Sequence, residues 1–298
     1  MAAHWHVLGA GAIGCLFATA LQRSGCSTTL LLRECGEKSS SSVLVQRRGA
    51  ITEVQVPVSA TGDSGPVTHL LVTTKAYDVR RAVGAVAHRF NSDTRLLLLV
   101  NGMGLTEELR EDFPNLDIYC GTTTEGAYRI APMHIRHAGS GLTRIGKPGQ
   151  TRPAPWFDQW SRAMRSCIWD ADIHRALWLK LAINCAINPL TAVHGCLNGE
   201  LAQRPELAME VSRLCDEIAA ISRAAGYASA AVNLEQAVTD VIAGTANNRS
   251  SMLQDAQGGH RTEIDYITGY LLTVARRHGI AAPGNQSLFE RVHDMGRT

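Results

Sequence analysis

Lys180 stands in an otherwise apolar run, ALWLKLAINCAINPLTA (residues 176–192), with Asn184 and Asn188 four and eight residues further on and Pro189 next. An ammonium group is costly to bury without partners. On a helix these three positions fall along one stripe, drifting by about 40° per step over a rise of roughly 12 Å. The residues between them are Leu, Ala, Ile and Cys, so the stripe is a polar line on an apolar helix. Two readings follow. In the first, Lys180 snorkels to solvent and the asparagines cap or bridge helices. In the second, the stripe faces a cleft between domains that holds a reducible substrate. Hydride reduction of a carbonyl leaves an alkoxide that must take up a proton, and a desolvated lysine with a lowered pKa is a suitable donor. Asparagines supply neutral donors and acceptors for carboxylate or hydroxyl groups. Pro189 predicts that the helix kinks or ends there. Asn198-Gly199 falls in the next loop.

A second constellation is NNRSSMLQDAQGGHRTEIDY, residues 247–266. Ser250 and Ser251 lie near the start of a short predicted helix, which Gly258-Gly259 breaks. Glu263 is predicted to open the following helix, on the same face as Ile267 and Tyr270. A carboxylate there needs a partner, and a lysine or a substrate hydroxyl would serve. The alternative is favourable charge at a helix N-terminus.

The third signal is at the start of the chain, where Gly9-Ala10-Gly11-Ala12-Ile13-Gly14 reads GxGxxG between a β-prone run and a helical one. The first glycine permits a tight turn, the second lets a pyrophosphate approach the backbone, and the third lets helix and strand pack closely. The phosphates then meet free N–H groups at the positive end of a helix. The second apolar strand, TTLLL, ends in Arg33, followed by Glu34. A guanidinium at that point suits a ribose 2′-phosphate and favours NADP over NAD; the alternative, with Glu34 beside it, is a plain surface arginine. Lys75 and Asn101 each follow a predicted parallel strand, along the edge where open α/β sheets bind ligands.

These residues need elements to hold them. Trp5–Leu8, Thr28–Leu32, Val67–Thr73, Leu96–Val100 and Ile118–Thr122 read as strands, alternating with helical patterns at 15–23 and 79–90. Continuous apolar strands alternating with helices predict a parallel sheet covered on both faces. Residues 126–150 add antiparallel strands, and Ser39–Ser42 reads as a surface turn. Beyond Trp156 strand-like runs nearly vanish, and 156–166, 173–188, 205–225, 232–244, 249–256 and 262–278 show helical spacing. The expected plan is α/β, with a Rossmann-type parallel-sheet domain over 1–170 and an all-helical domain over 171–298.

With 29 Lys and Arg against 27 Asp and Glu, the charge balance of +2 gives no case for nucleic acid or a membrane surface. No apolar run is read as long enough to span a bilayer. Eight cysteines without metal-ligand spacing fit a reducing compartment, and with an N-terminus running straight into a strand they predict a cytoplasmic protein. Its partner would be a small molecule, and it would act as a monomer or homodimer.

Nearly the whole chain resembles the ketopantoate reductase (2-dehydropantoate 2-reductase) family. The resemblance rests on GxGxxG, VTTKAYD around Lys75, LVNGMG around Asn101, LWLKLAINCAINPLTA, and SSMLQD followed by TEIDYITGYL. It implies NADPH-dependent reduction of the C2 ketone of 2-dehydropantoate to (R)-pantoate in pantothenate and coenzyme A synthesis, with no metal required. Lys180 would be the general acid and Glu263 would engage the substrate hydroxyl and orient the site. Asn184, Asn188, Asn198 and Ser251 would hold the substrate. Lys75 and Asn101 would lie at the nicotinamide end, Asn101 also touching substrate, and Arg33 on the 2′-phosphate. Two rivals remain: a reductase of another 2-keto or hydroxy acid with the same two-domain plan, and a non-catalytic NADP-binding regulator. The TEIDYITGYL block argues against a 3-hydroxyisobutyrate type.

Overall fold

Short, mostly apolar strands, buried along most of their length, form the centre of the sheet in the first part of the chain. The computed structural model describes residues 3–296. In chain order its strands are Trp5–Leu8 (β1), Thr28–Leu32 (β2), Ser40–Arg47 (β3), Ala50–Ala60 (β4), His69–Val72 (β5), Arg95–Leu98 (β6), Asp117–Thr123 (β7), Gly126–Ala131 (β8), His134–Gly139 (β9), Thr143–Gly146 (β10) and Cys167–Trp169 (β11). They form one sheet in the order β11-β10-β7-β6-β5-β1-β2-β4-β3-β9-β8. The run from β7 to β4 is parallel throughout, with Trp5 opposite Thr28 on one side and His69 on the other. β10 is antiparallel to β7, as β8 is to β9 and β3 to β4. The strand order reverses at β1, which puts the ligand-binding edge of such a sheet at the carboxyl ends of β1 and β5.

Helices Ala12–Arg23 (α1), Val79–Val86 (α2), Leu105–Asp112 (α3) and Phe157–Ala163 (α4) accompany this sheet. α1 buries Cys15, Leu16, Phe17, Ala18 and Leu21, and Gly25 follows it at φ 83°, where a residue with a Cβ would be strained. Trp5 meets Trp156 and Trp160 edge-on, each at 5.1 Å between ring centres, and these rings anchor the core of this unit.

The other unit is helical: Ile173–His194 (α5), Glu200–Gln203 (α6), Pro205–Ala224 (α7), Ala228–Ala231 (α8), Leu234–Gly244 (α9), Ser251–Gln257 (α10), Thr268–Arg277 (α11) and Pro283–Met295 (α12). α7 starts with proline in its first turn, where no N–H is needed, and buries Leu207, Val211, Leu214, Ile218 and Ile221 at helical spacing. Trp178 of α5 stacks on Tyr227 at 4.3 Å and donates its indole N–H to the Ser222 hydroxyl at 2.9 Å. The chain divides into these two units at His174/Arg175, except that Asn101–Gly104 belongs with the helices.

Several elements differ from expectation. The Ser39–Ser42 run is not a turn: Ser40–Ser42 begin β3, which pairs with β4 from Ser40–Pro57 to Arg47–Ala50. Its partner strand satisfies the backbone, and only Val43 needs burial, so the apolar signal of a core strand is missing. α5 does not end at Pro189 but runs on to His194, because the surrounding core holds the proline turn in place. At 22 residues α5 is also long and apolar enough to cross a bilayer by length and composition, contrary to the sequence reading. Its apolar side chains are packed in the helical core. Finally, α12 had no helical expectation, and α11 starts only at Thr268.

Candidate active site

The glycine turn is built almost entirely from backbone. Gly9 has φ 111°, and a Cβ on it would lie 2.8 Å from the Thr74 nitrogen. A Cβ on Gly14 would lie 1.9 Å from the Gly9 carbonyl oxygen and 2.5 Å from the Thr73 hydroxyl. Gly11 is different: a Cβ there meets nothing within 4 Å. Two glycines therefore let the turn close, and the middle one leaves its space open. Gly11 caps α1 without a side chain, and no acidic residue stands in the first turn. The first N–H groups of α1 have no intrahelical acceptors, and the helix dipole adds positive potential there. Such a site fits a dinucleotide pyrophosphate. Ala10, Gly11, Ala12 and Ile13 are half-buried, so the turn is reachable from outside this unit.

Thr73, which the sequence reading did not single out, holds this turn to β5. Its hydroxyl lies 2.9 Å from the Gly9 carbonyl and its N–H donates to the Leu8 carbonyl at 2.9 Å. Lys75 follows at the carboxyl end of β5, half-buried, with extended backbone at φ −64° and ψ 147°. Arg33 directly follows β2 and is exposed, as is Glu34. Among the described residues no hydrogen bond or ion pair engages the Arg33 guanidinium.

In the helical unit, residues far apart in sequence converge. Glu263 is only 5% exposed. Asn101 donates from Nδ2 to Glu263 Oε2 at 3.2 Å. Asn101–Gly104 is clamped beside it: the Met103 N–H donates to the Tyr266 carbonyl at 3.0 Å, and a Cβ on Gly102, at φ 87°, would lie 2.5 Å from that same oxygen. Glu263 does not open a helix. It lies in the turn before α11, so charge at a helix N-terminus does not explain it. Its negative charge acts on Lys180 instead. Burial pushes the Lys180 ammonium down to about 8, and Glu263 opposes that shift. A buried cation lowered in this way, under the influence of a buried carboxylate, has the chemistry that a proton donor near neutrality would need.

Asn184 is half-buried and Asn188 buried, one and two turns beyond Lys180 on α5. Asn198 is buried. Its Nδ2 donates to the Thr245 hydroxyl at 2.8 Å and its N–H to the Asn248 carbonyl at 3.0 Å. Ser251 is exposed at the first position of α10, whereas Ser250 is buried and caps that helix, accepting the Leu253 N–H at 3.0 Å. Local sequence marked both serines and could not tell which one turns inward.

The family model described as Ketopantoate reductase PanE/ApbA matches residues 5–150, and its C-terminal counterpart matches residues 172–296. The chain is 39% identical to the 2-dehydropantoate 2-reductase of Shigella flexneri over 289 residues, covering 96% of this chain and 93% of that one. It is 35% identical to that of Vibrio cholerae serotype O1, covering 97% and 96%. Among solved structures, D-mandelate dehydrogenase with NADH and anilino(oxo)acetate has the same fold, with a TM-score of 0.86 at 23% identity, covering 99% of this chain and 98% of that one.

Proposed function

The chain belongs to the ketopantoate reductase family, and from that premise we propose that it reduces 2-dehydropantoate to (R)-pantoate with NADPH, in the cytoplasm, towards pantothenate and coenzyme A. The observation that carries the mechanism is the Lys180 ammonium, lowered to about 8 beside buried Glu263. Gly9, Gly11, Gly14 and the N–H groups of Ala12 and Ile13 would hold the pyrophosphate, and Arg33 the 2′-phosphate, with Lys75 and Asn101 towards the nicotinamide. The dinucleotide, when bound, supplies the hydride that reduces the C2 ketone. Lys180 donates the proton that the resulting alkoxide requires, and then regains one from solvent. At pH 7 a group with a pKa near 8 is still mostly protonated, yet acidic enough to give up its proton. Glu263 keeps that ammonium charged and, as a carboxylate, accepts a hydrogen bond from the substrate hydroxyl. Asn101 holds the Glu263 carboxylate in place. Asn184, Asn188, Asn198 and Ser251 offer neutral donors and acceptors to the carboxylate and hydroxyl of the keto acid, with no second cation to compete with Lys180.

The test is to follow reduced-nicotinamide absorbance with purified protein, NADPH or NADH, and 2-dehydropantoate beside other 2-keto acids. Turnover fastest with 2-dehydropantoate and NADPH is the expected result. Faster reduction of another keto acid would move the substrate assignment, and binding of NADPH without turnover of any acid would make the protein a regulator.

A further inference from the structure

Asn188, Asn198 and Ser251 come from three separate segments, and a set of buried hydrogen bonds ties those segments together. Thr191 has no exposed surface and Ser250 is 6% exposed. The Thr191 hydroxyl lies 2.6 Å from the Ser250 hydroxyl and 2.9 Å from the Asn188 carbonyl. Ser250 Oγ also receives the Leu253 N–H at 3.0 Å. The direction of this chain is fixed by its ends. An amide N–H only donates and a carbonyl only accepts, so Leu253 N–H gives to Ser250, Ser250 to Thr191, and Thr191 to Asn188. Each hydroxyl then donates once and accepts once. A few residues earlier the same segment is tied again: Asn198 bonds Thr245 and Asn248, and the Gly199 N–H donates to the Ala246 carbonyl at 3.0 Å. A Cβ on Gly199 would lie 2.8 Å from the Ala246 Cβ, so the two backbones touch.

We propose that Thr191 and Ser250 are positioning residues, whose hydroxyl relay fixes the first turn of α10, and with it Ser251, against the turn of α5 that carries Asn188. This rests on the reading of Asn188 and Ser251 as substrate residues. Pro189 sits inside that α5 turn and cannot donate a backbone hydrogen bond, so the turn lacks part of the usual helical ladder. The Thr191 hydroxyl bonds back to the Asn188 carbonyl in the same turn, so the relay ends on the residue next to the proline. A core that needed only volume at these two positions would be served by Val and Ala. Two interlocked hydroxyls instead specify an orientation.

The test is Thr191→Val, which keeps shape and removes the hydroxyl, with Thr191→Ser as the conservative rescue. In Thr191→Val the KM for 2-dehydropantoate rises about tenfold, the effect of one buried hydrogen bond near 1.4 kcal/mol. The KM for NADPH stays at the wild-type value, and Thr191→Ser recovers the keto-acid KM. Amide hydrogen exchange, which needs no substrate, quickens in 250–254 of Thr191→Val while α11 keeps its protection. Ser250→Ala gives the same pattern and substitutes for Thr191→Val if the valine variant does not fold. An unchanged keto-acid KM with a lowered Tm, or uniformly faster exchange over both helices, would overturn the proposal. If the wild-type protein reduces no keto acid, the functional reading fails, and the exchange pattern alone then decides whether the relay fixes the start of α10.

Discussion

The glycine turn and the lysine-carboxylate pair would serve the proposed reaction by opposite means. At Gly9–Gly14 what matters is the absence of side chains. Two Cβ atoms would collide with backbone, a third would enter open space, and binding would fall to N–H groups already in place. Around Lys180 what matters is side chains that are costly to hold: a cation lowered to about 8, a carboxylate that is 5% exposed and an amide aimed at it from 162 residues away in sequence. The motif of the first site is local in sequence and carries no titratable side chain, although Thr73 ties it to the end of β5. The second exists only once distant segments meet, and its proposed function would follow protonation.

That contrast is broken most severely at Lys180. Lys180→Ala is expected to lower kcat by about two to four orders of magnitude, the range for a lost general acid, with NADPH affinity unchanged by fluorescence titration. A kcat close to wild type would remove lysine from the proton path. Within the glycine turn, Gly11→Ala and Gly14→Ala should part company. The Cβ at Gly14 strikes the Gly9 carbonyl, so Gly14→Ala lowers Tm and NADPH binding together. The Cβ at Gly11 has room, so Gly11→Ala keeps Tm and loses NADPH affinity. Equal Tm values for the two variants would contradict this division of labour. Calorimetry and NADPH titration of both decide it.

Glu263→Gln sharpens the comparison from the other side. Removing the negative charge leaves the burial of Lys180 unopposed, so its pKa falls further below about 8. The alkaline limb of kcat/KM is expected to move down by about one pH unit, the low end of the effect of a neighbouring opposite charge. An unmoved limb would uncouple the pair.

The smallest effect lies away from both sites, where His4 and His6 stack at 4.5 Å and His6 is 6% exposed. Burial holds His6 down at about 3 and His69 at about 4. The unfolded chain takes up protons from pH 6.5 downwards while the folded one does not. Stability from these groups is therefore intact above 6.5 and is lost as pH falls towards 4. The urea midpoint should drop across that window, and His6→Leu should flatten the drop. A wild-type midpoint independent of pH there would refute it.

How far each site could be read from the sequence follows from the same contrast. GxGxxG states its requirements within six residues, and the buried strands β1, β2, β5 and β6 announce themselves as short, mostly apolar runs. Lys180, Asn184 and Asn188 are legible because a helix repeats, so a polar stripe shows on an apolar background. Glu263 was legible as a carboxylate needing a partner. Its place in a turn rather than a helix was not, because that turn is set by contacts from Met103 and Gly102. β3 was missed because only Val43 is buried along it. Helix α12 was missed for a similar reason: its start is set by Glu217 of α7, which accepts the Gly284 and Asn285 N–H groups at 2.8 and 3.0 Å. Thr73 reaches the Gly9 carbonyl, and Thr191 reaches Ser250, only once folding brings those segments together.

In the proposed mechanism Lys180, lowered to about 8 by burial while Glu263 opposes that shift, delivers the proton. The direct measurement is kcat/KM for 2-dehydropantoate from pH 6 to 10 at saturating NADPH. The account predicts a plateau that breaks near pH 8 and then falls about tenfold per pH unit, as the protonated amine becomes scarce. A profile level to pH 10 would contradict it.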